Sequence, residues 1–209
     1  MARAACYPPL DPGDDSAIRA RLATSRVAVV GCGGLGSNAA MMLVRAGVGS
    51  LTLVDFDRVE VSNLNRQLFF PDQIGSPKTE ALAETLRRIA PSVELRLHQV
   101  CVTTENLVDL VRDADVVIEA VDRAEVKALI VNTLTEQQPD TPLVGASGLA
   151  GVGSANEIVA ERVADAFYLV GDRHSDVARG LPLIASRVMV AAAHQAHVAI
   201  RCLIGHPEP

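Results

Sequence analysis

The stretch Val27-Ala-Val-Val-Gly31-Cys-Gly33-Gly34-Leu-Gly36 decides the architecture of this chain. Its four leading apolar residues, three of them valine, read as a short strand buried on both faces. The glycines that follow permit a tight turn and a close backbone approach to a phosphate. A helix expected over Ser37–Ala46, stopped by Gly47, then offers free N–H groups to negative charge. Asp55 lies 19 positions beyond Gly36, at the end of a second apolar run, Leu51-Thr-Leu-Val54. There its carboxylate can accept hydrogen bonds from a pair of ribose hydroxyls. Strand, helix and strand form one parallel unit, and the unit points to a nucleotide.

Outward from this unit the same alternation continues. A helix is expected over Ser16–Ala23, capped by Asp14, Asp15 or Ser16. Another begins with Ser76 as cap and Pro77 at the first helical position, carries Leu82, Leu86 and Ile89 on one face, and ends at Pro91. Val93–Leu97 and Val116–Val121 read as strands, with Asp122 at the carboxyl end of the second. Helices are expected over Thr104–Asp113, capped by Thr103 or Thr104, and over Ala124–Gln138; Leu143–Ser147 follows as a strand. Past Ser147 the glycines at 148, 151 and 153 change the pattern, and two short segments, Asn156–Ala160 and Ala166–Leu169, read as antiparallel strands. A loop over Gly171–Pro182 leads to a long Ala-rich helix, Ser186–Ile204, closed by Gly205 and Pro207. The expected class is α/β: a Rossmann-like, mostly parallel sheet flanked by helices, with antiparallel strands added C-terminally.

Residues 1–15, with three prolines and three aspartates, read as a loose leader. Residues 16–209 read as one domain, a nucleotide-binding core over 16–147 and, over 148–209, an antiparallel extension, a crossover loop and the last helix. A net charge of -6 with no basic run argues against nucleic acid as a partner. No apolar run is long enough for a membrane span and no signal pattern opens the chain, so a cytoplasmic protein is expected. Cys6, Cys32, Cys101 and Cys202 form no C-x-x-C pair, which gives neither a disulfide framework nor a structural zinc site. Cys32, Cys101 and Cys202 are each expected to be small buried residues rather than nucleophiles.

Three features separate nucleotidyl transfer from hydride transfer. The loop Asp55-Phe-Asp57-Arg-Val-Glu-Val-Ser-Asn63-Leu-Asn-Arg66-Gln67 is amide-rich and carries two arginines just past the ribose carboxylate. Arg66 can fork onto phosphate oxygens, while Asn63 and Gln67 orient neighbouring groups. Lys78 sits in the first turn of its helix, an unfavourable end for a cation unless an anion lies there. Asp122 stands where a carboxylate can hold Mg²⁺ across triphosphate oxygens. An NAD(P)-dependent oxidoreductase, the alternative, would use Gly31–Gly36 and Asp55 but leave Arg66, Lys78 and Asp122 without roles.

These residues resemble the E1-like adenylyltransferase superfamily that includes ThiF, MoeB, HesA and the ubiquitin-activating enzymes. The resemblance runs through G-C-G-G-L-G-S at 31–37, D-F-D-x-V-x-x-S-N-L-N-R-Q at 55–67, G-x-P-K at 75–78 and Asp122. The tail, from Gly171-Asp172 and Ala185-Ser-Arg-Val to His194-Gln-Ala, is similar to short ThiF-like proteins. The resemblance implies ATP and Mg²⁺ as cofactors. It implies as partner a ThiS-like sulfur carrier ending in Gly-Gly, activated as an acyl-adenylate in thiamine biosynthesis. A MoaD-like carrier, a tRNA-linked carboxylate or a peptide stands as the alternative substrate. It further implies nucleotide contacts from Gly31, Gly33, Gly34, Gly36, Asp55, Asp57, Asn63, Arg66, Gln67 and Lys78. Catalytic roles fall to Arg66, Lys78 and Asp122, with Mg²⁺ held by Asp122. A homodimer is expected, with the apolar last helix and the glycine-rich segment around 148–153 as self-association surface. The chain departs from the family in lacking the zinc cysteines, any cysteine over 146–185, and an arginine-bearing R-Y-x-R-Q-type leading segment. His194 and His197 share a helix face at i and i+3 but have no third ligand in sight.

Overall fold

The short apolar runs at the centre of the sheet become strands because both of their faces are covered. In the computed structural model, which describes residues 7–209, seven strands form one sheet. They are β1 (Arg26–Val30), β2 (Ser50–Val54), β3 (Glu94–His98), β4 (Val116–Glu119), β5 (Leu143–Ala146), β6 (Val159–Ala164) and β7 (Phe167–Gly171). The described helices are α1 (Asp15–Thr24), α2 (Gly34–Ala46), α3 (Lys78–Ile89), α4 (Leu107–Val111), α5 (Ala124–Gln137) and α6 (Ala185–Leu203). Across the sheet the order is β3-β2-β1-β4-β5-β7-β6. All neighbours are parallel except the last pair, where β6 runs antiparallel to β7. The expected C-terminal antiparallel pair is therefore present, and β7 joins the parallel part through β5.

Period-two alternation in β1 sets the layers. Val27 and Val29 pack with Leu35, Ala39 and Leu43 of α2, Leu82 and Leu86 of α3, and the apolar face of α6. Ala28 and Val30 pack on the other side with Leu107 and Val111 of α4 and Ile130 and Leu134 of α5. Leu43, Leu82 and Leu203 are completely buried, each contributing about 2 kcal/mol by removal from water. The strand order reverses between β1 and β4, so the crevice at their carboxyl ends is the natural ligand position of such a sheet.

Several boundaries differ from the sequence expectation for local reasons. α2 starts at Gly34 rather than Ser37, so the last glycines of the fingerprint lie in its first turn. α3 starts one residue later than expected: Pro77 is the cap residue, Ser76 lies outside, and Lys78 opens the helix. Neither Thr103 nor Thr104 caps α4. Asn106 holds the cap position without a side-chain cap bond; its amide ties the preceding turn instead, accepting from Thr103 N at 2.8 Å and donating to Cys101 O at 2.9 Å. β4 stops at Glu119, and the extended segment expected from Asn156 opens instead with a 3₁₀ turn, Ala155–Glu157.

Of the expected leader, residues 1–6, with Cys6, lie outside the described residues, and 7–14 are pinned to the end of α6. Leu10 N donates to Ile204 O at 3.0 Å, His206 Nε2 hydrogen-bonds Leu10 O at 2.7 Å, and Arg21 lies 4.5 Å over the Tyr7 ring. The last helix is not a free apolar surface either. Val188, Ala191, Ala192, Ala196, Ala199 and Leu203 are buried within the chain, against α2, β4 and β5. Among the described residues, no helix is long and apolar enough to cross a membrane.

Candidate active site

The turn after β1 is packed against itself. Gly31 has φ +96° and donates its N–H to Val54 O at 2.8 Å; a Cβ there would lie 2.6 Å from Ala120 O. A Cβ on Gly36 would lie 1.8 Å from Gly31 O, which no side chain can occupy. Gly33 sits at the N-cap of α2 with no side-chain cap, and the first turn of α2 carries no acidic residue. The helix start therefore presents uncompensated positive potential, a fitting surface for phosphate.

Asp55 and Lys78 form the wall on the β2 side. Asp55 Oδ2 accepts from Cys32 N at 2.6 Å and its Oδ1 from Asp57 N at 2.8 Å, so the carboxylate fixes both the glycine turn and its own loop. Lys78 is 6% exposed, its N–H donates to Asp57 O at 2.9 Å, and its Nζ lies 2.8 Å from Asp57 Oδ2. The anion expected at this helix start is thus supplied by the protein itself. Burial pushes the Cys32 thiol well up, the Asp55 charge adds to the rise, and the Lys78 charge opposes it, so both charges act at the turn. Cys202 is also buried as expected. Cys101 is not: it is exposed just past β3, because β3 is an edge strand and the chain leaves the sheet there.

The amide-rich loop covers the turn from above. Asn38 Nδ2 donates to Gly34 O at 2.7 Å and Arg66 O at 3.0 Å, and Ser37 Oγ accepts from Leu68 N at 3.0 Å. Asn63 is buried, its side chain accepting from Glu60 N at 3.0 Å to close a 3₁₀ turn. The Arg66 stem would lie 3.6 Å from a Cβ on Gly34, while its guanidinium donates to Ser62 O at 2.9 Å and Asn65 Oδ1 at 2.7 Å. The Gln67 amide nitrogen would lie 3.7 Å from a Cβ on Gly33, and its Oε1 is buried with no hydrogen-bond partner. An orphaned acceptor beside a phosphate-type turn is a place where a ligand donor fits.

Asp122 is exposed and immediately follows the Ala120–Val121 peptide that presses on Gly31. The Arg66 stem lies beside Gly34 and the Lys78 charge acts on Cys32, while Asp122 follows the peptide that packs on Gly31. Residues whose role the sequence did not disclose complete the surroundings. Glu119 is buried at the end of β4, and burial raises its carboxyl pKa against the opposing pull of Lys127. Gln195 of α6 donates to Glu119 O at 2.9 Å and Val144 O at 3.1 Å. Arg187 binds Asp172 and the Ser154 carbonyl, anchoring the crossover segment. Burial alone would raise Asp172. The N–H groups of Ser175 and His174, the Ser175 hydroxyl and the Arg187 guanidinium outweigh it and hold the carboxyl well below the usual range. For Asp172 and Arg187 the signal was the tail pattern Gly171-Asp172 and Ala185-Ser-Arg-Val188, which carried no spacing from which a role could be derived.

A cavity of about 520 Å³ lies elsewhere, at the amino ends of the strands, lined in part by Arg26, Ser50 and Glu94. Parallel sheets of this kind bind ligands at the opposite, carboxyl ends. Fold and turn together define a doubly wound α/β protein with a glycine-rich turn at the carboxyl end of its first strand. The sequence profile of the ThiF family matches residues 11–209, and the chain belongs to that family. It is 41% identical over 122 residues to ubiquitin-like modifier-activating enzyme 5 of Drosophila ananassae, covering 53% of this chain and 31% of that protein. The Gallus gallus counterpart is 38% identical over 125 residues, covering 54% of this chain and 31% of its own. The chain thus spans about 31% of the length of these curated relatives. Among solved structures, the E. coli tRNA N6-threonylcarbamoyladenosine dehydratase TcdA, in complex with ATP, superposes with TM-score 0.83 at 24% identity over 90% of this chain and 89% of that one. E. coli MccB with AMPCPP and MccA gives TM-score 0.72 at 21% identity over 92% of this chain and 59% of that one. At such identities the likeness is one of fold.

Proposed function

We propose that the chain is an ATP-dependent adenylyltransferase acting on the C-terminal Gly-Gly carboxylate of a small ubiquitin-like sulfur carrier. The observation that carries this reading is one uncapped glycine turn bordered by two cations and an exposed carboxylate. The carrier's carboxylate, already ionised, attacks the α-phosphorus, and pyrophosphate leaves, giving the acyl-adenylate. No strong general base is needed, so catalysis falls to positioning and electrostatic stabilisation. Asp55 binds the ribose hydroxyls: each of its oxygens accepts one backbone N–H and retains a second lone pair. Asp57 keeps Lys78 aimed, and Lys78 neutralises charge on the triphosphate. Arg66 exchanges neutral acceptors, Ser62 O and Asn65 Oδ1, for phosphate oxygens. Asn63 holds the loop shape and Gln67 offers its unpaired Oε1 to the nucleotide. Asp122 fits a Mg²⁺ ligand because it is exposed and makes no hydrogen bond or ion pair with the described residues. When bound, the ion shields charge between the triphosphate oxygens.

The ubiquitin-like class of carrier is supported by the relatives named for activating ubiquitin-like modifiers. A ThiS-like carrier of the thiamine pathway is the first to test. Enzyme, Mg-ATP and such a carrier are expected to give pyrophosphate–ATP exchange. Absence of exchange with every Gly-Gly-ended carrier tried would remove the reading. A second substrate, a tRNA-linked carboxylate, is favoured by one observation: TcdA matches this chain over nearly the whole of both lengths. Exchange stimulated by modified tRNA and not by carrier would select it, against the net charge of -6.

The working unit in this proposal is a homodimer. With α6 buried internally, the self-association surface shifts to exposed apolar residues of the crossover side, Val152, Val177, Leu181, Ile184 and Met189. Sedimentation at the 22.1 kDa monomer mass would exclude it.

A further inference from the structure

We infer that Glu119, clasped by Lys127, is a positioning residue that aims the Asp122 carboxylate at the glycine turn and so sets the affinity of the nucleotide-bound divalent cation. The inference rests on the proposed adenylyl transfer and extends it to residues outside the binding turn.

Glu119 is the last residue of β4, and only residues 120–123 separate it from α5. Its side chain is 2% exposed. Oε1 accepts from Val121 N at 2.8 Å and from Lys127 Nζ at 2.9 Å; Oε2 accepts from the same Nζ at 3.1 Å. One carboxylate therefore ties the strand end, the loop amide and the second turn of α5 together. The main chain at 119 needs no such help, because Gln195 already holds Glu119 O. What the side chain adds is restraint on the residues that follow.

Those residues matter twice. The Ala120–Val121 peptide forms the wall against which Gly31 packs, and Asp122 comes next, exposed and unpartnered. Space for the clasp is kept by Gly145 on β5, where a Cβ would lie 3.3 Å from Oε2. A buried ion pair adds little net stability compared with an apolar pair of the same volume. Its use here is directional: it fixes a loop N–H beside a free carboxylate, as groups behind a metal ligand do.

The test measures Mn²⁺ binding by electron paramagnetic resonance to the complex of the full chain with a non-hydrolysable ATP analogue. Affinity for metal-free ATP in EDTA is measured alongside. Glu119→Gln keeps an acceptor for Val121 N–H and loses the charge that holds Lys127. Expected is Mn²⁺ binding weakened about tenfold with metal-free nucleotide affinity unchanged, and a lowered thermal midpoint because Lys127 loses its buried partner. The double variant Glu119→Leu/Lys127→Met replaces the pair by apolar groups, stays folded, and shows the same loss. Folded variants with native Mn²⁺ affinity overturn the inference and leave the proposed function standing. A native chain that binds no ATP, or Asp122→Ala with native Mn²⁺ affinity, removes both.

Discussion

The glycine turn and the crossover segment meet adjacent residues of α6, Val188 and Arg187, yet they are held by different forces. Val188 packs 3.0 Å from a Cβ built on Gly34, while the adjacent Arg187 reaches back to Asp172 and Ser154. At the turn, backbone meets backbone at distances that leave no room for a methyl group. At the crossover, a buried guanidinium and carboxylate hold the chain by charge, with Glu157 3.8 Å away at the rim. Steric fixation depends little on pH or salt, whereas a charge-held segment is only as firm as its ion pair. A phosphate surface must be rigid before its ligand arrives. A segment that meets a macromolecular substrate can be looser.

The largest effect that can break this contrast is expected from Gly36→Ala. Its methyl would sit on Gly31 O with no flexible side chain to give way, so loss of more than about 4 kcal/mol, or no folded protein, is expected. A urea midpoint equal to that of the native chain would end the steric account. Arg187→Met comes next, at about 3–5 kcal/mol, because it strands the Asp172 carboxylate in the interior. The same pair sets a pH dependence. Asp172 titrates below its ordinary value in the folded chain, so its stabilisation is present above about pH 4 and is lost as pH falls below that. The stability gap between native chain and Asp172→Asn must therefore narrow on acidification; a gap constant down to about pH 2 contradicts the charge-held crossover.

Lys78→Met belongs to the turn but acts on chemistry rather than on fold. Exchange is expected to fall about 10²-fold while the melting curve moves little, since Asp57 is left half exposed. A variant with native exchange would make Lys78 a structural partner of Asp57 only. The smallest effect is expected from His174→Ala, under about 0.5 kcal/mol, because the ring is 66% exposed although it lies 3.5 Å from Asp172. A large loss there, by denaturant titration, would show that the crossover depends on more than the Arg187 pair.

The parallel core was legible because its central strands are short local apolar runs and the helices between them carry their own breakers. Gly47, for example, ends α2 with φ +97°, donating its N–H to Leu43 O and Val44 O. The site was legible where chemistry follows spacing: Gly31 to Gly36, then Asp55, Arg66 and Lys78. Asp57 was read as a nucleotide contact, but its partnership with Lys78 joins residues 21 positions apart through a loop fold no local pattern encodes. Cys101 was expected inside as a small buried thiol. It lies outside because β3 is an edge strand.

By itself, the sequence determined the strand–turn–helix unit, the helix periodicities and the family, since these rest on contacts among near neighbours. Only the tertiary structure decided that β7 inserts beside β5, that α6 is spent on the sheet, and that Glu119, Lys127, Gln195, Asp172 and Arg187 meet where they do. Those pairings span distant segments, and a buried charge finds its partner through the packing of whole layers, not through its neighbours along the chain.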